Sequence, residues 1–320
     1  MNLSPLARLL PLLALSLAPA VPARAADEKP AAAAPAAPGF TRTEDVIYGR
    51  KFGVALTMDV FAPTANANGR GIIWCVSGGW YSGKQAVNPG FAKPFLDRGY
   101  TVFAVVHGSQ PKFTIPEVLE DMHRAVRFIR ANAEKYKVDP DKLGIAGGSA
   151  GGHLSLMQGC APKPGDPKAA DPVDRQPSRV AAVACFFPPT DFLNYGKDGE
   201  NAVGVGTLKD FKAPFDFHAY DPKTKSFAPV TDEAKRAEIA KQISPAYHVT
   251  KDSAPALIIH GDADALVPIQ QAELVIAKLK AAGVPCELVV KKGAAHGWPG
   301  LDKDVAVLAD WFDKLLVGAK

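Results

Sequence analysis

The sequence predicts an α/β fold: a doubly wound, mostly parallel sheet with helices on both faces and an excursion over its carboxyl edge. Three observations carry that prediction. Short, continuous apolar runs recur along the chain, segments of helical period separate them, and the alternation continues from about residue 41 to the end with no internal repeat or second core.

The first element, around residues 43–60, reads as a hairpin at an antiparallel edge. Six strand-length runs then follow: 71–76 (GIIWCV), 100–106 (YTVFAVV), 143–146 (LGIA), 180–187 (VAAVACFF), 256–260 (ALIIH) and 286–290 (CELVV). Runs that are apolar throughout fit strands buried on both faces, as in a parallel sheet covered by helices. Between them, residues 115–134 place Val118, Leu119, Met122, Ala125, Val126 and Ile129 on one helical stripe, and 269–281 and 305–317 behave alike. Right-handed crossovers connect such units. Residues 193–244 break the rhythm. They are polar and rich in Gly and Pro, with one charged helical piece at 232–241, and are expected to rise above the carboxyl edge as a lid-like excursion.

Ahead of the domain, residues 1–25 read as a signal peptide: Arg8, an apolar stretch from Leu9, and Ala23-Arg24-Ala25 as the cleavage site. The stretch holds Pro11 and Pro19 and is shorter than the roughly 20 residues a spanning helix needs, so no stable membrane insertion is expected. Residues 26–40 form an Ala/Pro-rich leader, and 41–320 the catalytic domain. The expected location is secreted or periplasmic. A net charge of +4 over 320 residues, without a basic run, gives no footing for nucleic acid. Cys75, Cys160, Cys185 and Cys286 allow three complete pairings, but Cys75, Cys185 and Cys286 lie in or beside apolar strands, where buried free thiols are common.

The densest chemical signal is Gly147-Gly148-Ser149-Ala150-Gly151, after one strand and before an apolar helical run at 153–157. A sharp strand–turn–helix needs small residues around a serine whose hydroxyl it exposes, so Ser149 is the candidate nucleophile. Its hydroxyl needs a base, and the base needs an orienting carboxylate. His296 follows the last strand; Asp262 and Asp264 follow the strand before it. Asp264 is preferred as the acid, leaving Asp262 to shape the turn. Oxyanion donors are expected from the amides of Gly78 and Gly79, after strand GIIWCV, and of Ala150 at the helix start. This set calls for no metal or organic cofactor.

Together these residues resemble the α/β-hydrolase superfamily. The nearest branch holds hormone-sensitive-lipase-like esterases and bacterial feruloyl and acetyl-xylan esterases. The resemblance runs from about Asp45 onward. It rests on Gly78-Gly79-Trp80, on Asp121 and Ala125 of DMHRAVRFI, on Gly147 to Gly152, on His260-Gly261 with Asp264 and Val267-Pro268, and on Gly293, His296 and Trp298. The H-G-x-x-D pattern of those families selects Asp264. The chain departs from them where Val76-Ser77 replaces the usual His-Gly and where His107-Gly108-Ser109 replaces a frequent Tyr-Arg pair, so the oxyanion loop is expected to be hydrogen-bonded differently. The resemblance implies serine-dependent hydrolysis of small or polysaccharide-linked carboxylic esters. The alternatives are an oligopeptidase-like hydrolase and a non-catalytic binding protein on the same scaffold.

Overall fold

A computed structural model describes residues 39–318. The segment read as a signal peptide, and most of that read as a leader, lie outside the described residues.

Phe40 already belongs to the domain. Strands β1 (Phe40–Lys51) and β2 (Val54–Pro63) form the expected antiparallel hairpin. After β3 (Gly71–Val76) comes α1 (Pro89–Leu96), then β4 (Thr101–Val106) and α2 (Ile115–Ala131). The helical stripe read as one segment is interrupted at Asn132, and α3 (Ala133–Tyr136) follows as a single turn. Next are β5 (Leu143–Gly148), α4 (Ala150–Cys160) and β6 (Ala182–Phe186). The excursion carries a small hairpin, β7 (His218–Asp221) and β8 (Ser226–Pro229), and then α5 (Glu233–Gln242). The chain closes with β9 (Ala256–Gly261), α6 (Gln270–Ala281), β10 (Cys286–Lys291) and α7 (Leu301–Phe312).

The main sheet runs β1-β2-β4-β3-β5-β6-β9-β10, antiparallel through the β2–β4 pair and parallel from β4 to β10. Its side chains alternate between two cores. Ile73 and Cys75 pack with α2, α4 and α6; Ile72 and Val76 pack with α1 and α7. This two-sided burial is why the strands read as unbroken apolar runs. All four cysteines are unpaired; three are buried and Cys286 is half-buried. Burial pushes the Cys75 and Cys160 thiols up to about 12. Among the described residues no helix is long and apolar enough to cross a membrane, and no cluster of His, Cys, Asp and Glu could hold a metal ion.

The excursion has an anchored base and an exposed tip. Phe192, Tyr195, Phe215 and Phe217 are buried, whereas β7 and β8 are almost wholly exposed. At the base, Trp80 of the β3–α1 loop meets Phe192, Phe211 and Phe215 ring to ring.

Candidate active site

Three parallel strands end at one edge of the sheet, and each delivers one side chain. Ser149 follows β5 and opens α4 with φ of 54° and ψ of −119°, a conformation that costs a non-glycine residue about 1–3 kcal/mol. Two features hold it there. Its N–H donates to the Phe186 carbonyl at 3.0 Å, and its carbonyl accepts the His153 N–H at 2.9 Å. Helix α4 also crosses β5 and its neighbour β3 very closely: a Cβ on Gly147 would lie 2.6 Å from the Gly151 carbonyl carbon, and one on Gly151 would lie 2.8 Å from the Cys75 carbonyl oxygen of β3. The small residues around the serine are therefore steric requirements.

His296 and Asp264 reach Ser149 from loops after β10 and β9. Ser149 Oγ lies 2.9 Å from His296 Nε2, and His296 Nδ1 lies 2.7 Å from Asp264 Oδ2. A carboxylate only accepts, so Nδ1 carries the proton and Nε2 is left to accept the serine hydroxyl. The other Asp264 oxygen accepts the N–H groups of Leu266 and Val267, each at 2.9 Å. Burial alone would push the Asp264 carboxyl up. Hydrogen bonds from His260, His296 and the Val267 N–H outweigh it and hold the group well below the usual carboxylate range. Asp262 lies outside this chain and takes the Gly293 N–H at 2.6 Å, tying the β9 loop to the β10 loop. The structure thus separates the two aspartates by partner.

Opposite Ser149, the loop after β3 makes a tight hairpin. Gly78 and Tyr81 exchange both backbone hydrogen bonds, at 3.0 and 2.9 Å, and Gly79 and Trp80 between them have φ of 55° and 60°. Positive φ at both central residues is the signature of a two-residue primed turn. This corrects the expectation for Gly78, whose N–H is spent on the Tyr81 carbonyl. Gly79 and Ala150 differ: among the described residues neither N–H has an acceptor. Ala150 is also the first residue of α4, where the helix end favours negative charge.

The residues around this site supply support that single motifs do not reveal. Phe187 packs its ring on the His296 imidazole with centroids 4.4 Å apart. His153, fully buried, accepts the Trp80 indole N–H at 3.1 Å and donates to the Ile243 carbonyl at 2.7 Å, joining the loop, α4 and the excursion. Burial pushes His153 down to about 4, which keeps the neutral ring this arrangement requires. Only the apolar ends of their segments hinted at these roles. A cavity of about 520 Å³ opens over Ser149, walled by Trp74, Phe91, Phe186, Phe187, Phe211 and Leu301. A larger one, about 790 Å³, lies at the amino edge beside Asn66, Arg98 and Asp313 and contains none of these residues.

A mostly parallel sheet with a serine elbow, a late acid and a late histidine defines an α/β-hydrolase. The family model BD-FAE matches residues 58–279, and the chain belongs to that family. The match ends ahead of His296. Among curated relatives, a probable carboxylic ester hydrolase, LipM, of Mycobacterium tuberculosis is 28% identical over 75% of this chain and 52% of its own length. Esterase LipQ of the same organism is 26% identical over 80% of this chain and 56% of its own. The chain thus spans about half the length of these relatives. Among solved structures, a truncated carbohydrate esterase from gut microbiota is 25% identical with a TM-score of 0.70, covering 88% of this chain and 99% of that one. Esterase 2 of Thermogutta terrifontis is also 25% identical, with a TM-score of 0.65, covering 87% and 92%.

Proposed function

We infer that the chain hydrolyses carboxylic esters through an acyl-enzyme on Ser149. The observation that carries this reading is the unbroken chain from Ser149 Oγ through His296 to Asp264, with the Gly79 and Ala150 N–H groups nearby without an acceptor among the described residues. As Oγ attacks the ester carbonyl carbon, His296 Nε2 takes its proton, and Asp264 stabilises the imidazolium. The carbonyl oxygen becomes an oxyanion held by the Gly79 and Ala150 N–H groups. His296 then gives its proton to the departing alkoxide, which leaves as the alcohol. Water attacks the acyl-enzyme with His296 again as base. The carboxylic acid departs and Ser149 regains its proton.

The substrate reading is finer. An aromatic-walled cavity of about 520 Å³ suits a short acyl group with an apolar surface. The likeness to a carbohydrate esterase adds support for esters carried on sugars. Cleavage of residues 1–25 and export would bring the enzyme to such polymers outside the cytoplasm; mass spectrometry of the mature N-terminus tests that point.

The mechanism is tested with a fluorophosphonate probe and p-nitrophenyl esters of rising chain length. The expected result is labelling at Ser149, turnover of acetate and butyrate esters, and loss of both in Ser149→Ala. Equal esterase activity in Ser149→Ala overturns the mechanism. Labelling with turnover of peptides but not esters replaces the substrate class with amides.

A further inference from the structure

The oxyanion loop lacks the His-Gly pair found in the families the chain resembles and carries Val76-Ser77 instead. A buried network ties this segment down. Ser77 Oγ lies 2.9 Å from Nε2 of His107, at the carboxyl end of β4, and His107 Nδ1 lies 2.7 Å from the Gly108 carbonyl. A carbonyl only accepts, so Nδ1 carries the proton. Nε2 is the bare nitrogen, and the Ser77 hydroxyl must donate to it. Beyond the turn, Ser82 Oγ donates to the Val76 carbonyl at 2.5 Å and accepts the His107 N–H at 3.2 Å. Both flanks of the Gly78–Tyr81 hairpin are thereby fastened to the end of β4.

We propose that the Ser77–His107 pair is the positioning device of the oxyanion loop, fixing the direction in which the Gly79 N–H points at the reacting carbonyl. The proposal rests on the reading of Ser149 as nucleophile. The turn it holds is a costly one, since Trp80 is a non-glycine residue at φ of 60°. Without the Ser77 tie, the Ser82 hydroxyl still holds the Val76 carbonyl and the Trp80 indole still holds His153, but the residue directly before Gly78 loses its side-chain anchor to the end of β4. A donor displaced by a fraction of an ångström loses part of the factor of about 10²–10³ that one oxyanion donor supplies.

His107 must be neutral to accept the hydroxyl. Its ring is buried, and burial together with the nearby Lys51 ammonium pushes it down to about 4. The charged groups around it are Lys51 and Asp121. They pair with each other at 2.6 Å, and Asp121 also takes the Gly108 N–H at 2.8 Å.

The test compares Ser77→Ala, Ser77→Thr and Ser77→Val on p-nitrophenyl acetate, together with binding of a trifluoromethyl ketone analogue of the tetrahedral intermediate. Loss of the hydroxyl is expected to lower kcat about 10- to 100-fold with KM within about threefold, and to weaken the ketone by the same factor as kcat/KM. Thr keeps a hydroxyl and is expected to hold kcat within about fivefold of wild type, whereas Val, its isostere, behaves as Ala does. If Ala lowers the melting temperature, the Thr–Val pair, equal in volume, decides the matter at matched stability. Equal kcat in Thr and Val, or lost rate with unchanged ketone affinity, overturns the proposal. Ser149→Ala is run beside them. If it is inactive while the Ser77 variants match wild type, only the positioning role falls; if it is active, the nucleophile reading falls first.

Discussion

Replacing Asp264 by Asn separates the two candidate acids, and the structure sets the size of the effect. Every group facing the Asp264 carboxylate is a donor. Oδ1 takes two backbone N–H groups at 2.9 Å, while Oδ2 takes His296 Nδ1–H at 2.7 Å, with His260 Nε2 3.5 Å away. An asparagine must turn its NH₂ toward one of these sets. Turning it to the backbone sets a donor against two N–H groups and loses two hydrogen bonds to the neutral amide oxygen, worth about 0.5–1.5 kcal/mol each, so the amide NH₂ faces His296 instead. The imidazole then has to carry its proton on Nε2, where it points at Ser149 Oγ and cannot receive the serine proton. A misplaced tautomer of this kind costs about 10⁴-fold in kcat, or about 5.5 kcal/mol in the barrier. Asp262→Asn keeps an oxygen for the Gly293 N–H and should hold kcat within about threefold. The assay is steady-state hydrolysis of p-nitrophenyl acetate at pH 8, with the rate of fluorophosphonate labelling as a second readout. An Asp264→Asn enzyme within tenfold of wild type, or an inactive Asp262→Asn enzyme of unchanged stability, refutes the assignment.

Two further outcomes follow from burial and from the cavity wall. Burial pushes His107, His123 and His153 from 6.5 down to about 4, so between those values the unfolded chain binds more protons than the folded one. Stability is therefore highest above pH 6.5 and declines as pH falls toward 4, by up to about 3 kcal/mol per ring. Urea midpoints measured from pH 7.5 to 5 should decrease, and a flat profile would show that the rings are not held neutral. Phe211 comes from the excursion, lines the cavity and rests on Gly79, where an added Cβ would lie 2.6 Å from its ring. Phe211→Ala should shift the kcat/KM ratio toward longer acyl chains by up to about fourfold per methylene, at about 0.8 kcal/mol each; an unchanged hexanoate-to-acetate ratio shows that the ring does not bound the acyl site.

The sheet was legible because its strands are buried on both faces, which writes each one as an uninterrupted apolar run. Elements without that burial were not. Helix α1 has eight residues, with Pro89 at its start and Pro94 inside it, and shows no helical period long enough to read. The β7–β8 hairpin is exposed along nearly its whole length, so alternation of burial left no trace in its sequence. At the site, residue order along the chain pointed to Ser149, Asp264 and His296, and the structure brings those three side chains together. What order could not show is which amides are free. Gly78 and Gly79 look equivalent in the sequence, and only the hairpin pairing with Tyr81 removes one of them. His107 precedes every candidate acid in the chain, so residue order gives it no role in the triad, and its contact with Ser77 shows only once β3 and β4 are paired.

The spacing of the site along the chain has a consequence for how the molecule comes into being. Ser149 and His296 are 147 positions apart and meet only because β5, β6, β9 and β10 lie side by side. Asp264 and His296 share the single β9–α6–β10 unit, but no short segment brings Ser149 to either of them, so neither half alone makes a site that could act. Catalytic competence requires the long-range strand pairings from β5 to β10 to be complete. Ester turnover is therefore a sensitive gauge of whether the far half of the sheet has docked, and a chain stalled before β10 forms is silent however well its serine elbow is made.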